Sequence, residues 1–153
     1  MPYCHTQPGI VVLAVCLVIG VVGAAIAWQT GLTPMIVTLI ILIAVAIVFY
    51  SLTVEVGDGE LRWYFGPGLW TYRIALDDIR SVSIVRNHWW NGFGIRKAPG
   101  FSLYNVSGLD AVEITLKSGD IRRIGTDDPQ GFADALKQAA RGGLTGPRPY
   151  SSR

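Results

Sequence analysis

"PMIVTLIILIAVAIVFYSLTVEVGDGELRWYF", Pro34 to Phe65, is where the chain changes its periodicity. Pro34 to Tyr50 is one uncharged, apolar run, close to the ~20 residues that cross a bilayer core as a helix. From Ser51 onward polar and apolar residues alternate in "SLTVEV", a turn follows in "GDGE", and "LRWYF" returns. Period-two alternation on both sides of a turn is the mark of a β-hairpin. Asp58-Gly59 supplies the positive φ angles that a tight two-residue hairpin turn requires. A membrane-type helix therefore runs straight into a β-domain, with no linker between them.

Upstream lies a second apolar run, Gly9 to Trp28, and the link "QTGLT" between the two runs is very short. Thr33 is expected to cap the second helix and Pro34 to occupy its first turn, where a missing N–H costs nothing. The pattern predicts a transmembrane helical hairpin over residues 9–50, with spans at 9–28 and 34–50 and both chain ends on one side. Residues 1–8 are expected to be an N-terminal tail. Glu55 is the first charged residue. The link carries no Lys or Arg, whereas Arg62 and Arg73 follow the second span, so the positive-inside rule places the domain in the cytoplasm. The expected location is the cell inner (plasma) membrane, multi-pass. An alternative is a signal peptide ending in the A-x-A pattern Ala25-Ile26-Ala27, although no basic residue precedes the apolar run. Gly20-x-x-x-Ala24 and Gly23-x-x-x-Ala27 are small-residue pairs that let helices approach, within the hairpin or between copies in a homo-oligomer. The two cysteines, Cys4 and Cys16, lie outside the β-domain and cannot staple it.

Downstream, "WTYRIAL", "IRSVSIVRN", "FSLYNV", "AVEITLK" and "DIRRIG" read as five further strands, making about seven. His88 to Gly100, "HWWNGFGIRKAPG", reads as a long loop. "TDDPQGFADALKQAARGG" reads as a helix capped by Asp127 or Asp128 and started by Pro129, with Phe132, Leu136 and Ala139 or Ala140 on its apolar face. The β-domain is thus expected over 51–141, and residues 142–153 as a disordered tail.

Seven strands in two groups followed by one helix is the order of a pleckstrin-homology (PH)-like domain. Trp90, Gly92, Gly94, Ile95 and Arg96, then Tyr104 to Gly108, Ala111 to Glu113 and Ile124 to Pro129, resemble a pattern found in small bacterial two-span membrane proteins with a C-terminal PH-like domain. The resemblance implies a transmembrane hairpin followed by an all-β PH-like sandwich or barrel of antiparallel strands with a C-terminal capping helix. It implies a membrane setting and no reaction. Phosphoinositide binding through a basic first hairpin loop is not implied, because that loop here is the acidic "GDGE".

In an antiparallel meander that starts at the membrane, the loops after the second and fourth strands return to it. Those loops are "GPGLW" and "HWWNGFGIRKAPG", rich in aromatic and basic residues, while Asp58, Glu60, Asp77 and Asp78 fall at the other end. Trp favours the headgroup layer and Arg or Lys is drawn to anionic lipid. Arg86, Trp89, Trp90, Phe93, Arg96 and Lys97 are therefore the candidate binding residues, for a protein partner or an anionic lipid surface. The competing expectation is that Trp90 plugs the end of the sandwich. His88 has no histidine or cysteine partner suited to a metal site. "GFGIR" lacks the spacing of a phosphate-binding glycine loop, and no nucleophile–base pair or cofactor motif is present. The expected function is a non-catalytic, membrane-tethered interaction or scaffold module without a cofactor. The alternative is a lipid-headgroup or small-ligand binder using the 86–100 loop. The small net charge of +2 argues against nucleic acid as a partner.

Overall fold

The computed structural model describes residues 2–142. Strand β1 (Tyr3–Pro8) leads into helix α1 (Ile10–Thr30), which reverses at Gly31 into α2 (Leu32–Phe49). Strands β2 (Ser51–Gly57), β3 (Glu60–Phe65) and β4 (Thr71–Ala75) follow, then β5 (Ile79–Arg86), β6 (Gly94–Ala98), β7 (Phe101–Asn105), β8 (Asp110–Leu116) and β9 (Ile121–Gly125). Helix α3 (Pro129–Gly142) ends the described chain. The expected disordered tail lies, beyond Gly142, outside the described residues.

The helical pair forms for the reason the sequence suggests. Both helices are apolar on every side and keep those side chains exposed, which is stable only in a lipid environment or under cover. One helix is long and apolar enough to cross a bilayer, over Ile10–Ala27 with mean hydropathy 3.1; the apolar stretch of the second, Thr33–Phe49, is shorter. The expected cap at Thr33 is corrected. The helix begins two residues earlier than Pro34, at Leu32, because Gly31 adopts a φ of 89° that lets the chain reverse at once. The Gly31 N–H closes α1 by bonding to the Ala27 carbonyl at 2.9 Å.

The strands form two open sheets, in the orders β1-β2-β3-β4 and β5-β8-β9-β7-β6. Five expectations are corrected here. The sheets do not close into a barrel. Among the described residues they hold nine strands rather than about seven, and β7 pairs with β9 in parallel, so the second sheet is mixed. Residues 1–8 are mostly strand rather than tail, since β1 pairs with β2 from Tyr3↔Val56 to Pro8↔Ser51. Part of the expected 88–100 loop is strand β6, which pairs with β7 from Gly94↔Asn105 to Ala98↔Phe101. The Asp58-Gly59 turn is as expected, with φ of 50° and 78° between the paired residues Gly57 and Glu60.

Leu52, Val54 and Val56 of β2 and Leu61, Trp63 and Phe65 of β3 face Val112 and Ile114 of β8 and Ile124 of β9 in the core. Helix α3 lays Phe132, Ala133 and Leu136 onto it. Asp128 is the residue that caps α3, its Oδ1 accepting the Gly131 N–H at 3.0 Å. The same carboxylate accepts the Tyr3 hydroxyl at 3.1 Å, and His5 hydrogen-bonds Asp127. The helix start therefore ties down β1.

Two predictions follow from this scaffold. A Cβ on Gly66, whose φ is 48°, would lie 2.5 Å from the Ile47 carbonyl oxygen of α2. Gly66→Ala is expected to destabilise the full chain by about 2 kcal/mol or more. Gly20→Ala, where the nearest atom is 3.7 Å away, is expected to change little; thermal unfolding in detergent compares the two. The Tyr3 phenol is held above its ordinary value near 10, first by burial and then by its hydrogen bond to Asp128 and that group's charge. A raised phenol stabilises the fold fully below pH ~10 and loses that contribution as pH rises toward the folded-state value. Tyr3→Phe is expected to remove part of the fall in unfolding temperature above pH ~10, measured by circular dichroism.

Candidate functional site

The residues beside the helices are fixed by backbone contacts. The Gly9 N–H donates to the Tyr50 carbonyl at 2.7 Å, joining the start of α1 to the end of α2. Gly66, in the β3–β4 loop, rests on the last carbonyls of α2 and donates its N–H to Ser51 at 2.9 Å. A Cβ on Gly94, the first residue of β6, would lie 3.9 Å from the Phe49 ring. Gln7 Nε2 donates to the Ser107 carbonyl at 2.9 Å, bringing the β7–β8 turn to the same end. The turns at Asp58-Gly59 and Leu76–Asp78 meet at the opposite end, where the Leu76 N–H bonds to Gly59 at 2.9 Å. The Trp-bearing loops thus lie at the helix end and the acidic turns away from it; the expected four-strand meander holds only through β4, because β5 pairs with β8 in the second sheet.

At the helix end Trp89 is 73% exposed and Trp90 63% exposed. The expectation that Trp90 plugs the sandwich is corrected. Trp63, 1% exposed, fills the interior instead, stacked on Tyr72 at 5.4 Å and edge-on to Tyr104 at 5.1 Å. Strand β3 points Trp63 inward because it shares a face with Leu61 and Phe65, whereas Trp89 and Trp90 sit on a short 3-10 turn outside both sheets. His88 stacks on Trp90 at 4.3 Å, and Trp89 meets Trp90 edge-on at 5.9 Å. His88 therefore stiffens the aromatic pair.

Of the other candidates, Phe93 is half-buried and Arg86 is exposed at the end of β5. Arg96 is exposed, and its guanidinium folds back along β6 over Gly92; a Cβ there would lie 2.9 Å from Arg96 Cζ. Lys97 points elsewhere. It lines a cleft of ≈ 540 Å³ with Phe101, Tyr104 and Arg122 on the second sheet. The six candidates thus divide into an edge group, with Arg96 leaning toward it, and Lys97.

Two cavities are absent from the sequence reading. Trp70, Ile95, Val45, Val48 and Phe49 line an apolar cavity of ≈ 380 Å³ where α2 meets the domain. Tyr72, Tyr104 and Arg122 line a cavity of ≈ 410 Å³ between the sheets. Arg122 is held there by Ser102 Oγ at 2.9 Å and by Asp120 at 3.8 Å. The Tyr104 phenol is raised by burial, partly countered by the Arg122 charge. The only signal for these in the sequence is the alternation of β4, which pairs Tyr72 with Ile74 on one face.

Compared with known proteins, the chain matches no family model and no curated protein.

A surface tryptophan and a core tryptophan respond differently to removal. Trp89→Ser with Trp90→Ser is expected to change unfolding free energy by less than ~1 kcal/mol in detergent. Trp63→Ala is expected to cost ~3–5 kcal/mol. Denaturant titration of the full chain followed by far-UV circular dichroism checks both.

Proposed function

We propose that this chain is a two-span protein of the plasma membrane whose PH-like domain, on the cytoplasmic face, is a non-catalytic interaction module seated against the lipid surface. The resemblance of the motifs between Trp90 and Pro129 to bacterial two-span proteins with such a domain supports the class. The observation that carries the proposal is the exposed edge of Leu69, Trp70, Trp89 and Trp90 on the helix end of the domain. Large apolar side chains gathered in the open at one end of a domain support an interaction or membrane site. Tryptophan is the residue that favours the headgroup layer, and Arg86 and Arg96 near it each add ~1 kcal/mol of attraction to an anionic leaflet.

Pairing of β1 with β2 supports two spans over one. Neighbouring strands of one sheet stand on the same side of a membrane, so the chain between them crosses it an even number of times. Helix α2 rises 1.5 Å per residue, so its 18 residues cover roughly 27 Å. That is a few Å under the ~30 Å hydrocarbon core, a mismatch that local thinning absorbs. The same pairing speaks against cleavage after Ala27, which would strip β1 and its ties to Asp127 and Asp128 from the folded domain. The paucity of basic residues in the link favours the cytoplasm for the domain.

The topology is tested with single-cysteine variants of the full chain in cells, using a membrane-impermeant maleimide. Cys4, exposed on β1, and Ser118→Cys in the β8–β9 turn are expected to label only after the membrane is opened. Thr33→Cys, at the hairpin tip, is expected to label in intact cells. Labelling of all three from one side overturns the two-span proposal.

A further inference from the structure

Because the two sheets do not close, a seam stays open between β4, the edge of the first sheet, and β6, the edge of the second. The three cavities lie along it and share walls. Tyr72 borders both the apolar cavity at α2 and the inter-sheet cavity, while Tyr104 and Arg122 border both the latter and the Lys97 cleft. Trp63, Tyr72 and Tyr104 form an aromatic floor, with ring centroids of Tyr72 and Tyr104 4.8 Å apart.

The seam changes character along its length. At the helix end its walls carry no charged side chain: Val45, Val48, Phe49, Trp70, Tyr72 and Ile95 are the main ones. Further out the walls add Arg73, Lys97 and Arg122, against the two carboxylates Asp78 and Asp120. Arg122 is shared with Asp120. Lys97 is exposed and makes no ion pair among the described residues. An apolar mouth against a membrane-type helix and a cationic far end form the complement of an anionic amphiphile.

We propose that this seam holds one anionic phospholipid of the surrounding bilayer, with its acyl chains against α2, Trp70 and Ile95 and its headgroup beside Lys97 and Arg122. The proposal rests on the membrane-seated function above. The heights agree. Gly94 is level with Phe49 at the end of α2. Lys97 stands three residues further along β6, roughly 10 Å at 3.3 Å per residue. The headgroup layer extends about 5–7 Å beyond the hydrocarbon edge, which leaves ~3–5 Å to the level of the Lys97 backbone, a gap the long lysine side chain spans. A free phosphate ion has no use for the apolar mouth.

The test is native mass spectrometry of the full chain, released from detergent micelles after incubation with phosphatidylglycerol or with phosphatidylcholine. One phosphatidylglycerol per chain is expected to be retained, and phosphatidylcholine much less. Lys97→Glu is expected to lower phosphatidylglycerol retention by roughly tenfold, and Ile95→Asp to do the same from the apolar end. Lys137→Glu, the same charge reversal on the exposed side of α3 and outside the seam, is expected to leave retention unchanged. An excess of inorganic phosphate is expected not to displace the lipid. Equal retention of the two lipids, displacement by phosphate, or unchanged retention in Lys97→Glu overturns the proposal. Lys97 is an exposed edge-strand residue, so that variant keeps the fold; if Ile95→Asp unfolds by circular dichroism, Ile95→Ala replaces it. Retention in detergent does not depend on which side the hairpin tip faces. The seam can therefore fail while the maleimide pattern holds, and the reverse.

Discussion

Everything in this molecule hangs on the pairing of β1 with β2 across the base of the helical hairpin. The two helices are in effect a long connection between adjacent antiparallel strands, closed at its foot by the Gly9 N–H and the Tyr50 carbonyl. That closure fixes the directions in which α1 leaves the domain and α2 enters it. It also decides which turns of the first sheet lie beside the helices, because β2, β3 and β4 alternate from that starting point. The placement of Trp70 on the helix side and of Asp58, Asp77 and Asp78 on the far side follows from that ladder, while Trp89 and Trp90 are set by β5, which pairs with β8 in the second sheet.

Tertiary contacts reinforce the ladder from outside the sheet. Tyr3 and His5 reach the two aspartates at the start of α3, so a helix at the far end of the sequence holds the first strand in place. Gly66 allows the β3–β4 loop to sit on the last carbonyls of α2. In the second sheet Arg123 bridges to Glu113 at 2.7 Å and covers the Phe101 ring at 3.8 Å, joining β7, β8 and β9 through one side chain. The largest fully buried side chains of the core are Trp63 and Phe65 of β3 and Phe132 of α3.

Legibility in the sequence tracked hydrophobic alternation closely. β2, β3 and β8 show it, and their limits, the Asp58-Gly59 turn and the α3 start at Pro129 were all readable. β1 was not, because "YCHTQP" buries a glutamine and half-buries a tyrosine and a histidine. Its inward face is polar and its partner is more than forty residues away. β6 was hidden by the glycines and proline around it, since they punctuate a strand as readily as a loop. The parallel step from β7 to β9 has no local signature at all, being a consequence of the β6–β7 hairpin folding outside β9. At the site, charge and aromatic content located the edge. They could not show that Lys97 leaves it, because period-two alternation turns neighbouring residues of an edge strand to opposite faces. The open seam was invisible for the same reason as the parallel pair, as it depends on how far the two sheets splay.

Ser51 begins β2 directly after Tyr50, so no flexible segment separates the helices from the domain. A tether of glycine and serine would let a bound partner sample a sphere of positions; this joint fixes one height and one heading. The seven residues of β2 reach roughly 23 Å at 3.3 Å per residue, which sets the distance of the acidic far turns from the helix ends. Anything docked on those turns is carried at that stand-off, and rotation of the helical pair about its long axis sweeps it around like the hand of a clock.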